Sequence, residues 1–452
     1  MGGLFVTLRN SAASMRVFER GIMVVQSNVS NVNTPSYARQ RQVLVATASD
    51  VSSGLAGGVA SGGTISARSS YAEQSVRRSL QALGYAEELS SQLSRLESVF
   101  DVGEGSGVAA AMQELFDSFS ALSVAPNDAA ARQMVLQSAN AVASSLQQAT
   151  AGLNSGMSEA GYALTNETTQ INSTLQQLLE VNQQFRKSAQ AQDDPGLDAR
   201  LNSLLEELSE SMDFTVLRSD DGSVNISAGG QTPVLIGEHL YPLTADISAS
   251  PAEVLDHLGN DTLSKISSGR LAAQAKLYNE TIPSYLDDLN RLALTLADAV
   301  NTQLGQGLDQ NGNVPVVNLF SYDATLGAAR TISVNALTTD QLAAASVGAP
   351  GGGGNAEVLA ALAGEDLIDG GTLVAFYGSL TAQAGRDLSN AADDVSIQSS
   401  LSTQVRQLRD DLSKVNLDEE AIALLEFQRA YEAAAKMVTT LDEMTETVLN
   451  MI

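Results

Sequence analysis

The sequence has no cysteine and no tryptophan, only two histidines, and aromatic residues at just 4%. Without cysteine there is no disulfide, thiolate nucleophile, iron–sulfur cluster or cysteine-bound zinc. His239 and His257 alone leave little material for an imidazole metal site or a serine triad. So few aromatic rings make a poor platform for small ligands or sugars. Positive charge is scarce too: 25 Lys plus Arg against 52 Asp plus Glu, a net charge of −27 over 452 residues. Nucleic acids and anionic membrane surfaces both demand a positive footprint, so neither is an expected partner. No apolar run approaches the roughly 18 residues of a membrane-spanning helix. The start, Met1-Gly2-Gly3-Leu4-Phe5, lacks the basic region and unbroken apolar segment of a secretory leader. The expectation is a cytoplasmic protein, or one exported without cleavage, that needs no cofactor and no metal.

What is present is helical periodicity. Leu4, Leu8, Ala12, Met15, Phe18, Ile22, Val25, Val29 and Val32 follow one another at steps of three or four, which predicts a helix through the first 33 residues. Asn33-Thr34-Pro35 ends it, because the residue before proline is pushed out of the helical region. Residues 42–70 lose the stripe and gain glycine, predicting a connector with short strands near Val43–Val45 and Thr64–Ala67. Stripes resume from Val76 to Phe100, where Gly103-Glu104-Gly105-Ser106-Gly107 interrupts them. They continue as separate helices from Val108, after Pro126, around Ile171–Phe185 and from Leu197 to Met212. Asp220-Asp221-Gly222 between two alternating segments predicts a hairpin. A helix follows from Leu271 to Leu304, kinked or restarted at Pro283. Gly351–Gly354 reads as a flexible segment. The rest of the chain from Thr372 is helical, with Asn416 and Glu419 forming a capping box and Asp418, Glu419 and Glu420 complementing the helix dipole. The final stripe is Leu417, Ala421, Leu424, Gln428, Tyr431, Ala435, Val438, Leu441, Met444, Val448 and Ile452.

Motifs for chemistry fail on inspection. Asp309-Gln310-Asn311-Gly312-Asn313 suggests a calcium loop, but the sixth and twelfth positions are Val314 and Phe320 instead of Gly and Glu. The glycines at 103–107 enclose a glutamate and precede no Lys-Ser/Thr, so they are no phosphate cradle. Both histidines read as surface or packing residues, and the many carboxylates as solvated helix faces. The two ends remain informative. Each carries a narrow apolar stripe that needs a partner, and the opposite terminus is the obvious one. The entropy of ordering so long a pair nearly offsets what it buries, so ends loose in the monomer and ordered by neighbouring copies are expected. An ordinary helical core that happens to use both termini is the plainer alternative.

Two motifs go further. Asn28-Val29-Ser30-Asn31-Val32-Asn33-Thr34-Pro35-Ser36-Tyr37-Ala38-Arg39-Gln40 closely resembles the N-terminal signature of the rod, hook and hook-associated proteins, the axial protein family of the bacterial flagellum. The asparagines suit a helix end because they tolerate the left-handed conformation and bond nearby backbone. Val415-Asn416-Leu417-Asp418-Glu419-Glu420, running through Phe427-Gln428-Arg429-Ala430-Tyr431, resembles the family's C-terminal helix. Leu197-Asp198-Ala199-Arg200, Leu205-Glu206-Glu207-Leu208 and Ile282-Pro283-Ser284-Tyr285 favour the hook-associated branch at the first hook–filament junction over rod and hook proteins. The stretch 318–370 is short for that branch.

The resemblance implies a mainly α fold with paired N- and C-terminal coiled-coil helices, a long helical bundle domain and a small β-rich insertion. The expected division is 1–50 plus 400–452 as a terminal core, 51–212 plus 268–399 as the bundle, and 213–267 as the β region, with an extra strand near 329–337. It further implies a non-enzymatic structural protein that leaves the cell through the flagellar export channel and forms a homo-oligomeric ring at the distal end of the hook. The implied partners are hook protein, the second junction protein and an export chaperone on the C-terminal helix. The expected assembly interface is Leu4, Leu8, Met15, Phe18, Ile22, Val25, Val29, Leu417, Leu424, Tyr431, Val438, Leu441 and Val448. The expected signature turn is Asn28, Asn31, Asn33, Thr34, Pro35 and Tyr37. Competing readings are another axial component, an enzyme carried on the flagellum, or a cytosolic coiled-coil adaptor.

Overall fold

A computed structural model describes residues 2–48, 57–100 and 106–450. The glycines at 54 and 103–105 and the end of the last stripe at Ile452 lie outside the described residues. Helix α1, Gly2–Ser30, stops three residues before the predicted end, in a run of turns. An antiparallel hairpin of β1, Gln40–Ala46, and β2, Val59–Ser66, then lies against α1. Next come α2, Ser70–Glu97, capped by the Ser69 side chain, and α3, Gly107–Val124. The separate helices expected after Pro126 are one helix, α4, Ala129–Lys187, capped by Asp128. At 59 residues it is roughly 90 Å long. Its glycines do not break it because each sits where another side chain presses in. A Cβ on Gly152 would fall 2.8 Å from Val99, and one on Gly156 2.4 Å from Leu96.

A single turn, α5 (Ala189–Gln192), leads to α6, Pro195–Ser211, whose first N–H groups are taken by Asp194. The predicted hairpin follows. β3, Phe214–Arg218, β4, Val224–Ala228, β5, Thr232–Ile236, and β6, His239–Leu240, form an antiparallel sheet in that order. β7, Thr244–Asp246, pairs with β8, Glu253–Leu255. α7, Arg270–Lys276, runs through one π-helical turn into α8, Ile282–Gly305, with Pro283 in its first turn, so the proline opens a helix there.

β9 (Gly307–Leu308), β10 (Phe320–Ser321), the turn α9 (Ala328–Thr331), β11 (Ser333–Val334) and β12 (Ala345–Ser346) fill the next stretch. Only β11 was visible in the pattern; β9, β10 and β12 were not. β10 pairs with β11, and β9 with β12. The four glycines lead into α10, Gly354–Ala361. α11, Leu373–Ser413, is unbroken across residue 400, and α12, Leu417–Asn450, ends the description.

Two cores result. The first half of α4 packs with α3, α8, α10 and the start of α11 around Phe116, Phe119, Leu146, Tyr285 and Leu296. The second half packs with α6 and the four-stranded sheet around Ile171, Leu178, Phe185 and Ile226. α4 is therefore a strut common to both. Arg132 is buried at its start and donates to the carbonyls of Pro126, Thr339 and Leu342 at 2.7–2.8 Å. Burial pulls its pKa down, against the nearby Asp309 and Asp340 carboxylates. The Asp309 carboxylate caps its own turn, accepting from the Asn311 and Asn313 N–H groups. No helix among the described residues is long and apolar enough to cross a membrane.

Candidate assembly site at the terminal helix pair

The two chain ends meet. α1 packs along α12, and Gly21 lets them close: a Cβ there would stand 2.7 Å from the Phe427 ring. Of the sequence-predicted stripe, Leu4, Leu8, Met15, Phe18 and Ile22 are half-buried and Val25 is buried, while Val29 is exposed. On α12, Leu424, Tyr431, Val438 and Leu441 are half-buried, while Leu417 and Val448 are exposed. The half-buried members accordingly line the seam between the two helices. A different apolar set faces outward. On α12 it is Ile422, Leu425, Met437 and Met444; on α1 it includes Phe5 and Met23. The sequence pattern counted Met444 in the seam stripe and missed the rest of this set, because the seam stripe, being continuous, absorbed the signal.

A polar knot fixes one end of the seam. Asn28 is 1% exposed. Its Nδ2 donates to the Gln40 carbonyl at 2.8 Å and to Glu420 Oε2 at 3.0 Å. Its Oδ1 accepts from the Gln40 N–H at 2.9 Å and the Tyr37 hydroxyl at 3.0 Å. The same Glu420 takes Arg39 Nε at 2.6 Å, and Arg39 also pairs with Glu419. One side chain thus ties the end of α1, the start of β1 and the first turn of α12 together. Burial, with Glu420 adding to it, pushes the Tyr37 phenol pKa up, so the hydroxyl remains a donor.

The remaining signature residues shape the turn. Asn31 Nδ2 donates to the Ser27 carbonyl and its Oδ1 accepts from Thr34 Oγ1, whereas Asn33 and Pro35 are exposed. The left-handed position is Ser36, with φ 52°, and not an asparagine as expected. The fold over-determines this strain by gripping Ser36 from both sides. Its Oγ donates to Glu206 at 2.9 Å and its carbonyl accepts from Arg68. Tyr37 packs with Ala199 and Val415, joining the turn to α6 and to the lead into α12. The capping box is only half formed. Asn416 Oδ1 accepts from the Asp418 N–H, but Glu419 serves Arg39 instead of reaching back.

Beneath the turn lies a buried ion network missed by the sequence reading. Arg68 pairs with Glu73 and Asp198, and Arg409 with Glu206 at 2.6 Å. Burial acts to lower the Arg409 pKa, but Glu206, Glu73 and Asp410 outweigh it and hold the guanidinium raised. These residues come from α2 and the link into it, α6 and α11, so the network couples the terminal pair to the body. The sequence signal for it was that Asp198 and Glu206 belong to the quoted motifs Leu197-Asp198-Ala199-Arg200 and Leu205-Glu206-Glu207-Leu208. The arrangement holds helices in register.

Comparison with known proteins matches this architecture. The family described as the flagellar hook-associated protein FlgK helical domain matches residues 93–320, half of the chain. The chain belongs to the FlgK family. Residues 411–451 also match the flagellar basal body rod FlgEFG protein C-terminal family. Flagellar hook-associated protein 1 of Bacillus subtilis is 26% identical, covering 100% of this chain and 99% of its own length. The Salmonella typhimurium protein of that name is 23% identical over 74% of this chain and 63% of its own. The structure of the flagellar hook junction protein FlgK from Burkholderia pseudomallei superposes with a TM-score of 0.67 at 15% identity, covering 75% of this chain and 99% of that one. This FlgK-family chain is therefore a hook-associated component of the bacterial flagellum.

Proposed function

We propose that the chain forms a closed ring of identical copies at the distal end of the hook, outside the cell, with its terminal helix pair in the axial core and its body facing outward. The observation that carries this is the two-faced α12. One apolar face is spent on α1, and a second, Ile422, Leu425, Met437 and Met444, is exposed. Apolar residues repeating on a charged helix find their place by packing against further helices. The terminal unit comprises both end helices and the β1–β2 hairpin, the bundle is built on α4, and the β region lies between α6 and α7. Hook protein below, the second junction protein above and an export chaperone on α12 before assembly complete the partner set. No catalytic role is assigned.

The test is a strain lacking the gene, complemented with variants. Bare hooks with flagellin lost to the medium, restored by the intact gene, are expected. Replacing Ile422, Leu425 and Met437 by Asp should leave hooks bare while the purified body stays folded. Replacing the seam residues Leu424, Tyr431 and Val438 by Asp should do the same by a different route, separating α12 from α1. Normal filaments in the deletion strain would refute the reading.

A further inference from the structure

The sheet β3–β4–β5–β6 ends on an open edge at β3. β3 and β4 keep one register over five residue pairs with no bulge. The flanking bonds, Gly229 N–H to the Asp213 carbonyl and Ser219 N–H to the Ser223 carbonyl, show which residues exchange bonds with β4. By the antiparallel alternation, the main-chain groups of Phe214, Val216 and Arg218 point away from β4. Among the described residues they have no hydrogen-bond partner. No proline or lysine protects this strand, the usual device against edge pairing.

The edge borders a groove of about 740 Å³ whose other wall is the outer face of α2, with Tyr71, Arg77 and Arg78. Tyr71 is 75% exposed. Arg77 is half-buried and, among the described residues, makes no hydrogen bond or ion pair. Burial lowers its pKa, with Glu73 and Glu206 opposing from a distance. A partly desolvated guanidinium without a hydrogen-bond partner is costly to maintain and is satisfied by a carboxylate brought to it. The whole chain carries 52 acidic against 25 basic residues.

We propose that this groove receives an extended, acidic segment of a second copy of the chain, which adds to β3 as a further strand and places a carboxylate on Arg77. Strand addition takes its affinity from main-chain bonds and its selectivity from side-chain pockets. A contact between two different surfaces is heterologous, and repeated around an axis it closes a ring. The complementarity favours a copy of this chain because a net charge of −27 supplies carboxylates on almost any face it presents. The proposal rests on the ring reading above.

The experiment replaces Thr215, exposed on β3, by the photocrosslinker p-benzoylphenylalanine and irradiates flagella sheared from complemented cells. A light-dependent adduct of two copies is expected, mapping by mass spectrometry to an acidic segment. It should fall at least tenfold with Arg77→Glu or Val216→Pro. If the Thr215 replacement fails to assemble, Tyr71 is the second position. Flagella that contain the protein but give no adduct between copies, an adduct only with a different protein, or an adduct indifferent to Arg77→Glu would each overturn this proposal and leave the ring reading standing. Absence of the protein from the sheared flagella would overturn both.

Discussion

Replacing Asn28 by Ala removes four hydrogen bonds at once: two to Gln40, one to Tyr37 and one to the Glu420 carboxylate. Neutral bonds contribute about 0.5–1.5 kcal/mol each and a bond to a charged group about 1.5–3 kcal/mol. Partial compensation follows, because the vacated amide volume admits water and Glu420 keeps Arg39 at 2.6 Å. The expected loss is about 3–4 kcal/mol, felt where the bonds are. α1, the β1–β2 hairpin and α12 make their contacts with one another, whereas the two body cores contain no residue of α1 or α12. Amide exchange read by mass spectrometry should therefore accelerate by two to three orders of magnitude in the end of α1 and the start of α12. α4 and α8 should be unchanged. Asn28→Asp should be worse than Ala at neutral pH, since it loses both donors and sets a carboxylate against Glu420. A carboxylate whose pKa is raised in the folded state destabilises above its ordinary value near 4, so that extra defect should fade as pH falls through this range. A change under tenfold at α12, or one spread equally through α4, would refute the assignment of the knot as the local anchor.

Three further outcomes follow from the packing. Gly21→Val puts a branched side chain into the Phe427 ring and should separate the helix pair, so that trypsin trims the protein to its body; Phe427→Ala in the same chain should restore part of the protection. Tyr285→Phe loses the 2.7 Å bond to Asp387 while keeping the edge contact with Phe100, and should cost about 1–2 kcal/mol in thermal unfolding. Arg132→Met strands three carbonyls and should cost about 3–5 kcal/mol; Arg132→Lys should recover little, because one ammonium cannot span the same fork. Denaturant unfolding monitored by circular dichroism distinguishes the two.

Local signals were legible where local physics decides. The Asp-Gly turn placed the β3–β4 hairpin, and spacing placed the helices, because side-chain burial repeats with the backbone period. α4 was misread as several helices because glycine and gaps in the stripe weigh against helix, whereas here the glycines are contact points. Gly161 faces Tyr278 and Gly152 faces Val99, partners far away in sequence or across the bundle. The knot was illegible for a stronger reason. Asn28 and Glu420 are 392 residues apart, and a buried glutamate in a first helical turn looks identical in sequence to one serving the helix dipole. The strained residue fell on Ser36 because Glu206 and Arg68 grip it, a fact of tertiary packing that residue propensity does not contain.

The position of the knot carries a mechanical consequence. A mostly aliphatic seam tolerates sliding by a turn, since many registers bury similar area. A buried amide that must meet both a main-chain segment and a carboxylate tolerates one register only, the best attested use of polar groups inside helix pairs. Asn28 stands at the body end of the seam, and Gly21 against Phe427 lies two turns farther along. Register is thus set near the body, and the distal turns toward Leu4 and Val448 depend on apolar contacts alone. Exchange protection in the monomer should decline from Asn28 toward the chain ends, and incorporation into flagella should raise it most at the distal turns, where the exposed Met437 and Met444 await neighbours. Uniform protection along α12 in a demonstrated monomer would contradict this division of labour between knot and stripe.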